Sequence, residues 1–491
     1  MKKYSKKEIM IVSLVIMLFV FGFVLLTGTF NSSYHLQDDH EFIRISNDLK
    51  EKNILSVIFD WTSNGLNIRF RPLYHIIRVL LVSIFGLHFK LWYTWKALEI
   101  CGILFFLYFF ARNLKCNKFV SCIFTLLVLI GNQIAIWYRL GPQESTGLLF
   151  LSIALFFISE YYLYNENKRN IIIAAIFMFL MSLMKESFVL MLPPILFLGL
   201  GLYSYKNGDK NIKNILIDNK KIIMAIMTLF FIEIFVIVFL IGTNKIGYAG
   251  FSSDTTTYQY LEGIRKSLIS DGLINQAILF LIASGITLAS YNNIKNKKSF
   301  LGIILFVVIT VIFQLALHAK STMFERYIVP MSVAYSFIIV ILGSKFLKNK
   351  GTLIIYFGLV LLVIAGLFNQ SITRASEFAN NGKNINDYLW YIRNNIDKNK
   401  NIFIAMNGEL EYSTDIYLRN FGYNNLYEYE SDFKYSTLPT NQIKPVDDII
   451  KNIDVVILTE QYYSFIFTEK YLNSTDFKHL KFGSYEIFTK L

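Results

Sequence analysis

Charge is scarce in this chain. Only 17% of its 491 residues are Asp, Glu, Lys or Arg, where a soluble protein of this size carries roughly a quarter. With 54% apolar residues, among them 45 Phe and 30 Tyr, that deficit excludes a soluble globular enzyme. Cysteine is scarce too. Cys101, Cys116 and Cys122 lie in or beside two adjacent apolar runs, without metal-ligand spacing, and none falls in the long polar segments. This argues against both a disulfide framework and a zinc site. Internal repeats, low-complexity segments and a Gly-rich phosphate loop of the dinucleotide kind are also missing.

What the chain has is long apolar runs. They lie near 8–28, 70–88, 91–112, 118–138, 145–164, 170–184, 187–205, 221–242, 272–290, 299–317, 326–346 and 351–369, close to the roughly 20 residues that cross a hydrocarbon core about 30 Å thick. The first is too long for a signal-peptide core and no small-residue cleavage pattern follows it, so it reads as a retained helix. The net charge of +13 does not point to nucleic acid, because the basic residues cluster in short loops, where they set topology. Lys2, Lys3, Lys6 and Lys7 place the N-terminus inside. Arg112, Lys115 and Lys118, then Lys168 and Arg169, then Lys206 to Lys221, Lys295 to Lys298 and Lys345 to Lys350 mark the inner loops.

If all twelve runs crossed, the loops after residue 112 would change sides and invert this bias. One early run must stay on the surface. The run at 70–88 is the weakest: after Pro72 it offers about 15 residues, or about 22 Å as a helix. Arg71, His75 and Arg78 fall at i, i+4 and i+7, the stripe of a helix lying in the interface plane. The expected fold is therefore a polytopic α-helical membrane protein with about eleven transmembrane helices, N-terminus in and C-terminus out. An interfacial helix belongs to the first outer loop, residues 29–90, within a membrane domain of residues 1–370.

Residues 371–491 change character. The short apolar runs 401–405 and 454–458 read as buried strands, and helical patterns lie near 383–396, 412–420 and 446–452. Residues 477–491 read as a hairpin turning at Gly483. Together they predict a small extracytoplasmic α/β domain.

The chemistry-bearing residues fall in outer loops. The first carries Tyr34–His35–Leu36–Gln37–Asp38–Asp39–His40–Glu41–Phe42, an adjacent carboxylate pair about ten residues past a membrane exit. A carboxylate can take a proton from an acceptor hydroxyl, and the pair can hold a divalent cation, Mg or Mn. The alternative is an acidic loop in which Asp38 or Asp39 caps a short helix. Tyr138 to Glu144 brings Arg139 and Glu144, or else a Gly–Pro turn with a capping Glu. Met184 to Phe188 brings Lys185 and Glu186, the usual chemistry of an interfacial anchor. His318 to Pro330 brings Lys320 and Arg326, which can pair with a phosphate or snorkel to headgroups. Within the apolar runs, Lys96 and Glu99 share a helical face as a self-neutralising pair, and Glu233 has no sequence-evident partner.

The order of these motifs resembles the GT-C superfamily of membrane glycosyltransferases, which includes protein O-mannosyltransferases and lipid A aminoarabinose transferases. The resemblance rests on a first helix, an outer loop with Asp38–Asp39, Arg71–Pro72–Leu73 opening an interfacial helix, Phe85–Gly86–Leu87 closing it, and Arg326–Tyr327–x–x–Pro330 opening a late helix. It covers residues 8–145 and 318–330 by motif. Tyr93 and Lys96 stand where several relatives have His and Asn, which leaves the subfamily open. The resemblance implies a polyprenyl-phosphate sugar donor and a cell-envelope glycan, lipid or protein acceptor, in an inverting reaction on the non-cytoplasmic face of the cell membrane. Asp38 would be the base, supported by Asp39 and His40. Arg326, Lys320, Arg71, Arg78 and Arg139 would face the donor phosphate, with Glu144, Lys185 and Glu186 in support. A secondary transporter, or a polysaccharide polymerase or ligase, is the alternative.

Overall fold

The computed structural model describes residues 4–491 apart from 37, 68, 165, 209–210, 242–255, 270–272, 290–295, 319–324, 344–346, 348, 407, 429–451 and 460–476. Seven described helices are long and apolar enough to cross a membrane: Lys6–Leu26, Phe89–Asn113, Glu144–Leu163, Glu186–Asn207, Lys220–Phe239, Lys297–His318 and Lys350–Asn395. The chain is a multi-pass membrane protein. Its apolar side chains point outward as readily as inward: Phe231, Phe235 and Phe239, one turn apart, are 61%, 69% and 70% exposed, a stripe suited to lipid and not to water.

The other four runs expected to span form shorter helices. The run at 118–138 is interrupted because Gly131 takes φ 97°, ψ −144°, so the helix Lys118–Leu129 stops and a short turn restarts at Asn132. Helices Lys168–Ser182 and Leu273–Ala289 have 15 and 17 residues. In the last, Val329–Ser336 widens into a π-helical turn at Phe337–Leu342. The expected interfacial segment is the helix Pro72–Phe85, whose 14 residues give about 21 Å.

The described chain divides into two units. The first holds Met1–Phe23, Ile58–Arg78 and Trp95–Arg374; the second holds Val24–Val57, Val79–Thr94 and Ala375–Leu491. In the first, helices Leu192–Asn207 and Lys297–His318 meet backbone to backbone. A Cβ on Gly302 would lie 2.7 Å from both the Gly201 Cα and the Phe197 carbonyl oxygen. Such small-residue contacts let membrane helices approach closely, and Asn296 fastens the pair by donating from Nδ2 to the Ser204 carbonyl at 2.7 Å. Gly302→Leu is expected to force the helices apart and destabilise the protein by about 1–3 kcal/mol or more. Thermal unfolding of the detergent-solubilised variant measures this; an unchanged midpoint contradicts it.

The second unit is built on a five-stranded sheet: β1 (Ile402–Ala405), β2 (Leu426–Glu428), β3 (Val455–Thr459), β4 (Phe477–Phe482) and β5 (Tyr485–Lys490). Its order is β2-β1-β3-β5-β4; the first three strands are parallel and the last two pair antiparallel. Both faces are covered. Ile402, Ile404, Ile457 and Ile487 pack with Tyr388 and Ile392, while Phe403, Val456, Leu458 and Phe488 form the opposite layer. The hairpin turns at Gly483, where φ is 61°. β2 was not expected, and the expected helix at 383–396 is not separate: one helix runs unbroken from Lys350 to Asn395. The helix expected near 412–420 is Gly408–Asn420, and the one expected at 446–452 lies almost wholly outside the described residues.

Candidate active site

In the second unit the acidic loop is fixed from several sides. Tyr34, Leu36 and Ile43 belong to the same core as the sheet. The His35 ring stacks on Phe378 at 3.6 Å between centroids and hydrogen-bonds the Ser32 hydroxyl at 2.6 Å. Asn386 donates from Nδ2 to the Ser32 and Tyr34 carbonyls, each at 3.2 Å. His40 shares a 2.8 Å hydrogen bond with the Ser413 hydroxyl. This framework holds Ser33 and Asp38 at φ 50° and 64°, a left-handed conformation that is uncommon outside glycine and accumulates at functional sites. The Tyr93 hydroxyl donates to the Ser33 carbonyl at 3.3 Å.

The two carboxylates differ. Asp39 is buried, and its Oδ2 accepts from the His35 backbone N–H at 2.9 Å. It occupies the N-cap position of helix His40–Glu51 but its side chain makes no capping hydrogen bond, so capping does not account for Asp39. Asp38 is only half-buried. Among the described residues no three His, Cys, Asp or Glu side chains group as metal ligands. With Asp39 already accepting from a backbone amide, the pair does not form a protein-only metal cage; a cation there would need oxygens from a donor phosphate or water.

The first unit gathers the remaining candidates around two turns. At 141–142, the Tyr74 hydroxyl and an Arg78 Nη both donate to the Gly141 carbonyl, at 3.1 and 3.2 Å, and Lys96 Nζ lies 3.4 Å from the Pro142 carbonyl. His75 and Arg78 are buried within protein. His75 and Arg78 of the polar stripe therefore face protein groups, while Arg71 is half-buried. Arg71 and Arg78 each lie 5.2 Å from the Tyr74 ring centroid.

Lys96 and Glu99 pair at 3.6 Å as their spacing predicts, but they are not a closed pair. Ser145 bridges them, accepting from Lys96 at 2.7 Å and donating to Glu99 at 2.8 Å. Thr146 and Trp95 also donate to Glu99. Next along the helix, Glu144 is ion-paired with Lys185, both fully buried, and Glu186 with Arg69. Burial pulls the Lys185 ammonium below the ordinary lysine range, while the Glu144 carboxylate opposes that pull. The Tyr327 ring collects charge: Lys185 Nζ lies 3.6 Å and Arg326 Cζ 5.4 Å from its centroid, and His318 stacks parallel to it at 5.0 Å. Arg139, half-buried, precedes the Gly141 turn. Lys320 lies outside the described residues.

Arg69, Ser145, His318 and Tyr327 are the members that sequence reasoning gave no role. Tyr327 stands inside a motif already noted and Arg69 two residues before one, but Lys185 and Glu186, which they meet, lie far along the chain. Glu233 now has one as well: the Ser182 hydroxyl donates to it at 2.6 Å.

No family model matches the chain, and no curated protein matches it by sequence. Solved structures do match by shape. ArnT from Cupriavidus metallidurans bound to undecaprenyl phosphate is similar with a TM-score of 0.54 and 12% identity, over 99% of each chain. The same enzyme in its apo state gives a TM-score of 0.51 and 12% identity, over 96% of this chain and 97% of that one. The apo oligosaccharyltransferase of Archaeoglobus fulgidus gives 0.48 and 11%, over 93% and 70%. Both neighbours are GT-C glycosyltransferases. The chain shares its fold with ArnT.

Proposed function

We propose that this protein is a glycosyltransferase that moves a sugar from a polyprenyl-phosphate carrier to a cell-envelope glycan, lipid or protein on the non-cytoplasmic face. The observation that carries the reading is the charge balance of the first unit. Among the described residues, Arg69, Arg78, Lys96, Lys185 and Arg326 lie among the carboxylates Glu99, Glu144 and Glu186, with Arg71 beside the Tyr74 ring. A concentration of cationic side chains at one place attracts an anion. A lipid-borne phosphate is the anion that a membrane-embedded site meets, and the fold shared with an undecaprenyl phosphate-bound ArnT supports that choice.

The roles follow from the side chains. In the second unit Asp38 is the general base, held in position by the loop that Asp39, His35 and His40 brace. In the first, Arg326 and Arg139 bind the donor phosphate, with Arg71 and, outside the described residues, Lys320. Glu144 and Glu186 hold Lys185 and Arg69 in place. The acceptor oxygen bonds to the anomeric carbon as its proton passes to Asp38, the bond from that carbon to phosphate oxygen breaks, and polyprenyl phosphate leaves. The configuration at carbon inverts.

Arg326 gives the direct test. Native mass spectrometry of the purified full-length protein with undecaprenyl phosphate is expected to show binding that Arg326→Ala weakens by about tenfold or more, the worth of a charge-assisted phosphate contact. Equal binding by variant and wild type removes the donor assignment.

A further inference from the structure

Away from these residues, a groove of about 620 Å³ lies between the helix Lys118–Leu129 and the early turns of the helix Lys350–Asn395. Phe119, Leu353, Phe357 and Leu361 make its apolar walls and Lys115 its charged end. Gly358 leaves it open, since a Cβ built there meets nothing within 4 Å. Lys350–Asn395 is a helix of membrane-spanning length and apolarity, and Phe119, Ile354 and Leu361 are exposed, so the groove opens where lipid would lie.

Lys115 stands just past the helix Phe89–Asn113 with φ 64°. Its N–H donates to the Arg112 carbonyl at 3.0 Å and the Cys116 N–H to the Ala111 carbonyl at 3.2 Å. This is the helix-ending position where glycine is the usual residue. A lysine there complements the helix dipole, but glycine would fit the backbone without strain, so the cation is held at a conformational cost. Lys118 and Lys350 begin the two helices that form the walls, and among the described residues no carboxylate pairs with Lys115, Lys118 or Lys350.

We propose that this groove binds an anionic phospholipid, with the phosphodiester on Lys115 and an acyl chain lying along Phe119, Phe357 and Leu361. Basic pockets between membrane helices recognise such headgroups, and the apolar walls continue from the charge in the direction an acyl chain takes. Net positive charge and an open apolar trough select an anionic lipid over a zwitterionic one.

The test uses native mass spectrometry of the delipidated full-length protein titrated separately with phosphatidylglycerol, phosphatidylcholine and undecaprenyl phosphate. Wild type is expected to bind phosphatidylglycerol in preference to phosphatidylcholine. Lys115→Gly should weaken phosphatidylglycerol about fivefold without lowering the melting temperature, because glycine suits that φ. Gly358→Leu should have a similar effect by filling the open side. Both variants should bind undecaprenyl phosphate as wild type does, and Arg326→Ala should leave phosphatidylglycerol binding unchanged, so this proposal and the donor assignment stand or fall apart. Undiminished phosphatidylglycerol binding in both groove variants, equal binding of phosphatidylcholine, or one-for-one displacement of phosphatidylglycerol by undecaprenyl phosphate would overturn it.

Discussion

Asp38→Asn is expected to lower sugar transfer by a factor of about 10² to 10⁴, the range contributed by a positioned acid or base, while the protein stays folded and inserted. Asparagine is the closest replacement in shape. It also tolerates the left-handed conformation that residue 38 adopts, so the loop keeps its path and only the basic oxygen is lost. Asp39→Asn makes the comparison. Its side-chain oxygen can still accept from the His35 N–H, as Asp39 does at 2.9 Å, so this variant should retain more activity than Asp38→Asn. Initial rates with a polyprenyl-phosphate sugar, measured beside thermal unfolding, separate the cases. Full activity in Asp38→Asn ends the assignment of the base, and a collapse of both variants' melting temperatures would show the loop to be structural.

Breaking the Glu144–Lys185 pair should have the largest effect on stability. Both side chains are fully buried, so removing one partner strands a charge away from water, at a cost of about 3–5 kcal/mol. Lys185→Met leaves the Glu144 carboxylate facing an apolar side chain, and Glu144→Gln leaves the ammonium without its ion-pair partner, against the Tyr327 ring. The double variant Glu144→Gln/Lys185→Met removes both charges, and its stability should recover most of the loss. Its transfer activity should not recover, because the charge that orders the phosphate-binding side chains is gone. Melting curves and rates on the three variants decide this. Additive destabilisation in the double variant would mean that the two groups are not coupled, and recovery of both stability and rate would mean the pair only holds the fold.

What could be read from the sequence was what local pattern encodes. Apolar run length marked the helices, the five-residue runs around Phe403 and Val456 marked β1 and β3, and Gly483 marked the hairpin. Lys96 and Glu99, three apart on one helix, could be paired on paper. Their further bonds to Ser145 and Thr146 could not, because nothing in the spacing of residues 96 to 99 refers to positions nearly fifty further on. The same applies to Arg69 with Glu186 and to Lys185 with Glu144. β2 escaped because three residues show no period, and the helix Lys350–Asn395 was divided because its composition turns polar where its backbone does not turn at all. The stripe of Arg71, His75 and Arg78 showed which residues share a face, but not what that face meets; Arg78 meets the Gly141 carbonyl.

One placement in the second unit bears on how the protein comes into being. Tyr34, Leu36 and Ile43 sit in one core with Ile404, Ile457 and Ile487, residues made some 360 to 450 positions later. Such distant partners must wait for one another, so the segment bearing Asp38 takes its working form only after the strands that complete its core have been made. A chain still threading into the bilayer would carry its acid loop unset until β5 had closed on β3.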